Sequence, residues 1–284
     1  MLLTPRYSGP PIITIDGSAD DVLAPLVSQR RRLESTLASL SDSQWNAQSR
    51  CAAWSVKDVV AHLAGINPLF AMSAQAGLDG QPTRLMQHFD PATSPPMMVE
   101  QMGALSPGEA LDLFVTSNDA LFELVKNLDD EGWSTTAESV PGDVSIRVLL
   151  SHALWDSWVH ERDILLPLGI APTVVADEVT ASLRYVAALS PAFAIDAGLE
   201  YPGTFAIEAT APAYSCSLTV DGSVAVLTGT RADDAPVLRG SAVELVEALS
   251  TRLPLPEGSP EEWQRLLHGL EHTWDLAAEG ELAS

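Results

Sequence analysis

The chain has 284 residues, 46% of them hydrophobic, enough apolar material for one large domain or two ordinary ones and too much for a disordered chain. Its 15 basic and 38 acidic residues give a formal charge of -23. A surface that acidic repels phosphate backbones and anionic headgroups, so neither nucleic acid nor a membrane surface is expected as a partner.

The first seventeen residues, MLLTPRYSGPPIITIDG, carry Pro5, Pro10 and Pro11 and are expected without regular structure, as part of a leader over residues 1–20. They lack the basic start, apolar centre and small-residue cleavage site of a signal peptide. No apolar run approaches the ~20 residues a membrane span needs. Cys51 and Cys216 are too few for a disulfide framework. These features together lead us to expect a cytoplasmic protein.

Leu23, Leu26, Leu33, Leu37 and Leu40 share one face of a first helix over 21–40, where Pro25 is tolerable near the start. Arg30-Arg31-Arg32 within it is expected as a solvated helix face. Ser55 with Asp58 three residues on is a capping-box-like start for a second helix, punctuated by Asn67-Pro68. Residues 77–107 hold eight Pro and Gly and form a long connection of the kind used as lids or pocket walls, with a short helix expected around Met97–Met102. Ser106-Pro107-Gly108-Glu109 starts a third helix that runs to about Leu128. A fourth spans Ser145 to Leu166 and is stopped by Pro167 and Gly169. Four amphipathic helices with one long crossover fit a bundle over residues 21–170.

Beyond it the texture changes. A helix over Asp177 to Leu189 leads to β-rich segments at Thr204–Ala209, Ser215–Val220 and Ser223–Thr228, with the hairpin signal Asp221-Gly222 between the last two. Ser241-x-x-Glu244 and Ser259-Pro260-Glu261-Glu262 start two further helices. The fold class is therefore α+β, with a four-helix bundle followed by a small α+β domain over 171–284.

The chemistry concentrates on the fourth helix, LLSHALWDSWVHERDILLPLG. Asp156 and His160 are four residues apart and project from one face, where a carboxylate and an imidazole can reach a common cation. His62, mid-helix among Val59, Val60, Ala61 and Leu63, is the candidate third ligand from a facing helix. A lone His on an apolar face is more often a hydrogen-bonded core residue. The conjunction counts for more, because burying such a polar stripe without partners costs several kcal/mol. His152 lies on the same stripe, where it lines the pocket or substitutes as a ligand. His268 and His272 are read as the polar edge of a C-terminal helix. Cys51 is read as a small packing residue, and Glu161 and Arg162 as pairing with each other or with a cofactor.

The runs AAWSVKDVVAHLAG and WDSWVHERDILLPLG resemble the DinB-like superfamily, and within it the mycothiol-dependent, maleylpyruvate-isomerase-type branch. The resemblance covers roughly residues 20–170 and, more loosely, APVLRGSAVELVEAL, similar to the family's final strand, arginine and helix. It implies that the Trp54-Ser55-Val56-Lys57-Asp58 run ends in a metal-ligating His62, and that Asp156 and His160 complete the set. The family commonly has Glu where this chain has Asp156. The shorter side chain implies an ion closer to this helix, or one reached through water. By the same resemblance Asp163 supports the site, against the alternative of a surface acid. Arg239 binds a substrate carboxylate or the cofactor's polar end, against that of a strand-end surface arginine. Trp54 and His152 are expected beside the cofactor.

Two histidines and one carboxylate leave coordination positions open, as catalytic sites do, and zinc fits best on ligand type, with ferrous iron and nickel compatible. The implied function is a metal- and mycothiol-dependent S-transferase or isomerase. In it a metal-bound thiolate attacks a small-molecule electrophile, and no cysteine of the chain acts as nucleophile. A hydrolase using bound water and a non-catalytic metal-binding protein of the same fold remain alternatives at this point. The oligomeric expectation is a monomer or homodimer.

Overall fold

The computed structural model describes residues 4–90, 93–199, 201–229 and 234–267; His268 and His272 lie outside the described residues. The bundle is built from α1 (Asp20–Leu37), α3 (Val56–Leu78), α5 (Pro107–Val125) and α7 (Ile146–Leu165). A one-turn helix α2 (Asp42–Trp45) precedes α3, and α4 (Ser94–Gln101) precedes α5. Serines cap the starts of α3, α5 and α7. At α3 and α5 the box is complete: Ser55 Oγ accepts from the Asp58 amide while Asp58 returns to the Ser55 amide at 2.9 Å, and Ser106 with Glu109 does the same.

Asn67-Pro68 does not end the second helix. Pro68 forfeits one backbone bond, but Phe70 and Ala74 beyond it are buried, and Ser73 exchanges two hydrogen bonds with the backbone of Glu138 at 2.7 and 2.8 Å. Tertiary packing overrides the local signal here. Gly77 allows the approach, since the Thr136 carbonyl occupies the space a Cβ would need.

Besides α2, four elements were not legible. A short helix α6 (Asp130–Ser134) leads into an antiparallel hairpin of β2 (Thr136–Ser139) and β3 (Gly142–Ser145). The leader also carries a strand, β1 (Ile13–Ile15), buried and paired in parallel with β6 (Val224–Thr228). The sheet is completed by β4 (Gly203–Thr210), β5 (Tyr214–Val220) and β7 (Val237–Ser241) in the order β1-β6-β5-β4-β7. Helix α8 (Ala176–Asp196) lies between α7 and this sheet, and α9 (Ala242–Leu249) packs against α8, β7 and β4.

The 77–107 connection is strapped down. The buried Glu138 carboxylate accepts from the Tyr7 hydroxyl at 2.5 Å, from Thr83 at 2.6 Å, and from the amides of Leu85 and Met86 at 2.8 and 2.9 Å. Within the connection, Met98 and Met102 on and after α4 press on Gly65, one turn past His62. The connection is thus a wall against the helix that carries His62.

The apolar interior has two parts. One joins the lower bundle to the sheet, from Leu26 and Leu121 through Trp155 to Leu218; the other holds Leu33, Val60, Phe114 and Ile164. Between them a polar layer crosses all four bundle helices. Arg30, fully buried, donates to Asn67 and Asn118 at 2.6 Å and to the Ala153 carbonyl at 3.1 Å. Gln29 pairs with Ser157 and Glu161 in the same layer.

The basic triplet is therefore not a solvated face. Successive helical residues point about 100° apart, so three in a row cannot share one face. Arg30 points inward, Arg32 pairs with buried Glu161 and Glu178, and only Arg31 is exposed, held by Glu34 and Asp119. Arg30→Met removes three hydrogen bonds and leaves the buried Asn67 amide oxygen unpaired, and we expect it to lower unfolding stability by about 3 kcal/mol, against under about 1 kcal/mol for Arg31→Ala. Urea unfolding of the two variants measures this, and equal losses would contradict the polar-layer reading.

Candidate metal centre

The cap at Ser55 fixes the start of α3 and puts His62 two turns in, with Trp54 just outside the helix. The Trp54 carbonyl accepts from Ser49 Oγ at 2.7 Å and Gln48 Nε2 at 2.8 Å, which holds the loop before the cap. Its ring lies 5.2 Å from the His62 ring, centre to centre, and 6.4 Å from that of His160. From α7, Asp156 Oδ1 is 3.7 Å from His62 Nε2 and 3.5 Å from His160 Nε2. The three predicted ligands thus meet, with one donor atom of each within 4.8 Å of the others.

Asp156 makes no hydrogen bond among the described residues. Its distances to the imidazoles are at or beyond the hydrogen-bond limit, and Oδ2 is buried without a partner, as is His62 Nδ1. A buried carboxylate without donors demands a nearby cation. Burial alone would raise its pKa, but the positive charge of His160, with the neighbouring His62 ring, holds it well below the usual carboxylate range. Burial would likewise lower His160, yet Asp156 and Asp163 raise it to about 10, so without an ion a proton on His160 supplies the charge. A divalent ion can replace that proton, and the donor set of two imidazoles and one carboxylate suits one.

The far side of His160 is anchored. Its Nδ1 donates to Asp163 Oδ2 at 3.0 Å, fixing the tautomer that leaves Nε2 facing Asp156. Asp163 is fully buried and no surface acid: Arg50 Nε donates to it at 2.9 Å, and Arg252 at 3.0 and 3.2 Å. Glu247 on α9 then holds Arg50 at 2.7 and 3.1 Å and lies 2.9 Å from Arg162 Nε. Arg50, Glu247 and Arg252, which make up the ion cluster around Asp163, are positions that sequence reasoning missed. The usable signal was Glu247 inside the apolar helix AVELVEAL, where a lone carboxylate needs a partner.

A second group of ligand-type side chains shares His160: Cys51 Sγ lies 3.4 Å from Asp163 Oδ2 and 3.8 Å from His160 Nδ1. Charge decides against a cation there. Both Asp163 oxygens already carry a guanidinium, and a further positive charge about 4 Å from each meets repulsion of roughly 4 kcal/mol per unit pair at an effective dielectric near 20. Cys51 is half-buried, packs against the second apolar cluster, and also donates its thiol to Asp163 in this ion cluster.

Four other residues singled out in the sequence are placed as follows. Arg239 on β7 is exposed and pairs with Glu208 at 2.8 Å on the neighbouring strand, so the structure does not bring it to the triad. Glu161 and Arg162 do not pair with each other. Glu161 faces Arg32 and Gln29 on α1, whereas Arg162 faces Glu247 and covers the Trp158 ring. His152 is not among the grouped ligands: its Nδ1 is 2.9 Å from the Tyr185 hydroxyl and 3.1 Å from Ser139 Oγ.

Residues 26–165 match the family model described as mycothiol maleylpyruvate isomerase N-terminal domain. Among solved structures, the chain is similar to the mycothiol-dependent maleylpyruvate isomerase and to a histidine-to-alanine mutant of it. Each aligns at 16% identity with a TM-score of 0.60, covering 84% of this chain and 91% of that one. At that identity the likeness is one of fold. No curated protein matches the chain.

Two predictions follow from the geometry. His62→Ala or His160→Ala should abolish the binding of about one divalent ion per chain, and Asp156→Ala should weaken it, by elemental analysis. Full occupancy in the double histidine variant would sink the assignment. The second concerns acid stability. Burial, with His62 adding and Asp156 opposing, pushes His152 from 6.5 down to about 4. Between those values the unfolded chain binds a proton that the folded one does not. Stability complete above pH 6.5 should therefore fall by about 3 kcal/mol as the pH approaches 4. His152→Phe should flatten that acid branch, and an unchanged slope would contradict the burial argument.

Proposed function

We propose, on the premise that residues 26–165 belong to the mycothiol maleylpyruvate isomerase N-terminal domain family, that this protein is a metal-dependent enzyme working with a low-molecular-weight thiol, mycothiol, on an electrophilic small molecule. The reaction is S-transfer or isomerisation through a transient thiol adduct. The observation that carries the reading is the largely buried Asp156 carboxylate, with Oδ1 facing two imidazole Nε2 atoms and Oδ2 without a partner.

His62, Asp156 and His160 would hold the ion, and zinc suits their ligand types best. When bound, such an ion lowers the pKa of a thiol by several units, so that it is a nucleophile at neutral pH. The chain's own residues orient the site. Asp163 takes the Nδ1 proton of His160 and keeps Nε2 free, and Arg50 and Arg252 keep Asp163 ionised and in place. The partly buried Trp54 ring beside His62 flanks the position where a cofactor would enter.

No described helix is long and apolar enough to cross a membrane. Two free thiols and a thiol cofactor suit a reducing compartment, which supports a cytoplasmic setting.

The test is thermal unfolding of the zinc-loaded protein with mycothiol, bacillithiol or glutathione. A ligand at a hundredfold excess over its Kd stabilises by about 2.7 kcal/mol, so mycothiol should raise the melting temperature by a few degrees, and only with metal present. Melting curves unmoved by all three thiols would replace this reading with a hydrolase that activates water.

A further inference from the structure

Arg30 places a full positive charge at the centre of the bundle. It is fully buried, and its guanidinium donates to the Asn67 and Asn118 amide oxygens and to the Ala153 carbonyl, all three of them neutral. The Phe114 ring centre lies 5.6 Å away, and Nε has no partner among the described residues. A buried cation without a bonded carboxylate carries a desolvation cost that neutral acceptors recover only in part. An amide side chain could bond the same oxygens without that cost.

The countercharge has to lie close by, and two carboxylates qualify, Asp156 first and then Glu34. Glu34, one turn along α1, is already engaged by the Arg31 guanidinium at 2.9 Å and the Asn118 amide at 2.8 Å. Asp156 is left. Ala153, whose carbonyl receives Arg30, precedes Asp156 by three residues on α7, and Asn67 follows His62 by five on α3. Both spacings put the guanidinium about 5–8 Å along the bundle axis from the triad, at 1.5 Å of rise per residue. Burial lowers the Arg30 pKa from 12.5 to about 10, so the charge persists at neutral pH. Asp156 Oδ2, like Arg30 Nε, is buried without a partner. The two side chains thus share one buried layer as opposite charges without a direct bond.

We infer that Arg30 is the fixed countercharge of Asp156, a positioning residue that acts through that carboxylate and cancels the only negative charge of the triad, so that an ion held by His62, Asp156 and His160 prefers a compact anion to a neutral molecule at its open position. The inference rests on the metal-and-thiol reading and adds to it what makes the open position selective. Two neutral imidazoles, one carboxylate and Arg30 leave about two units of positive charge in the core once a divalent ion is bound. An incoming anion reduces that charge, and a neutral ligand does not.

The experiment is cobalt titration of the parent, Arg30→Met, Arg30→Gln and Asn118→Ala, followed by the visible spectrum, with azide as the anionic probe and imidazole as the neutral one. Losing the Arg30 charge removes repulsion, so both Arg30 variants should bind cobalt at least about tenfold tighter, whereas a merely damaged layer would bind it more weakly. Azide should bind the cobalt-loaded Arg30 variants roughly tenfold more weakly, with imidazole changed by less than about twofold. Arg30→Gln keeps amide bonding in the layer and decides the matter if Arg30→Met does not fold. Asn118→Ala cuts the same layer but keeps the charge, and should leave cobalt affinity and the azide-to-imidazole ratio within about twofold of the parent. Weaker or unchanged cobalt binding in the folded Arg30 variants, an unchanged azide-to-imidazole ratio, or an Asn118→Ala shift as large as theirs each overturns the inference. A parent protein that binds cobalt and azide but whose melting curve mycothiol leaves unmoved would lose the thiol reading, while the Arg30 comparison still decides this one. A parent that takes up no cobalt would lose both.

Discussion

A helical bundle that runs charged side chains through its centre must satisfy each of them, and that constraint shapes this protein. The layer between the two apolar clusters contains Arg30, His62, Asp156, His160 and Asp163. Arg30 has three oxygen acceptors, and Asp163 has three cationic or N–H donors. Asp156, with His62 beside it, has no hydrogen bond in that layer. An unsatisfied buried carboxylate costs several kcal/mol, so in a fold that stabilises every neighbouring charge the exception marks the place for something the protein binds.

Helix α7 divides three carboxylates among three tasks. Asp156 faces the site, Glu161 reaches Arg32 on α1, and Asp163 binds Arg50 and Arg252. The last contact matters most for the whole molecule. Arg252 follows α9, and Glu247 within α9 holds Arg50 and faces Arg162, so the C-terminal part of the chain grips the helix that carries His160. The position of His160 therefore depends on residues nearly ninety positions further along the chain. Helix α8 adds Tyr185 to His152 from the same side, so the sheet and its helices serve as scaffold for one face of the site.

Much of this was legible because it is local. Serine caps, the one-turn spacing of Asp156 and His160, and the Trp54–His62 run depend on a few consecutive residues, and each was read correctly as geometry. What escaped depends on distant partners. Ile13–Ile15 is a strand only because β6 lies beside it, 211 residues away between Ile13 and Val224. Pro68 stays helical because Ser73 and Ala74 are buried against the hairpin. Arg239 stood in the resembling segment, yet the register of β7 on β4 directs it to Glu208, and Arg252 holds the place beside Asp163. Charge signs read along the chain misplaced Arg30, because burial depends on which way a residue points rather than on its neighbours in sequence.

The central claim is that His62, Asp156 and His160 hold an ion with a position left for an external sulfur. X-ray absorption at the zinc edge, before and after addition of mycothiol, tests it most directly. We expect a first shell of nitrogen and oxygen only, at about 2.0–2.1 Å, joined on addition of the thiol by one sulfur at about 2.3 Å. A shell unchanged by the thiol, or a sulfur already present beforehand from Cys51, would contradict the account.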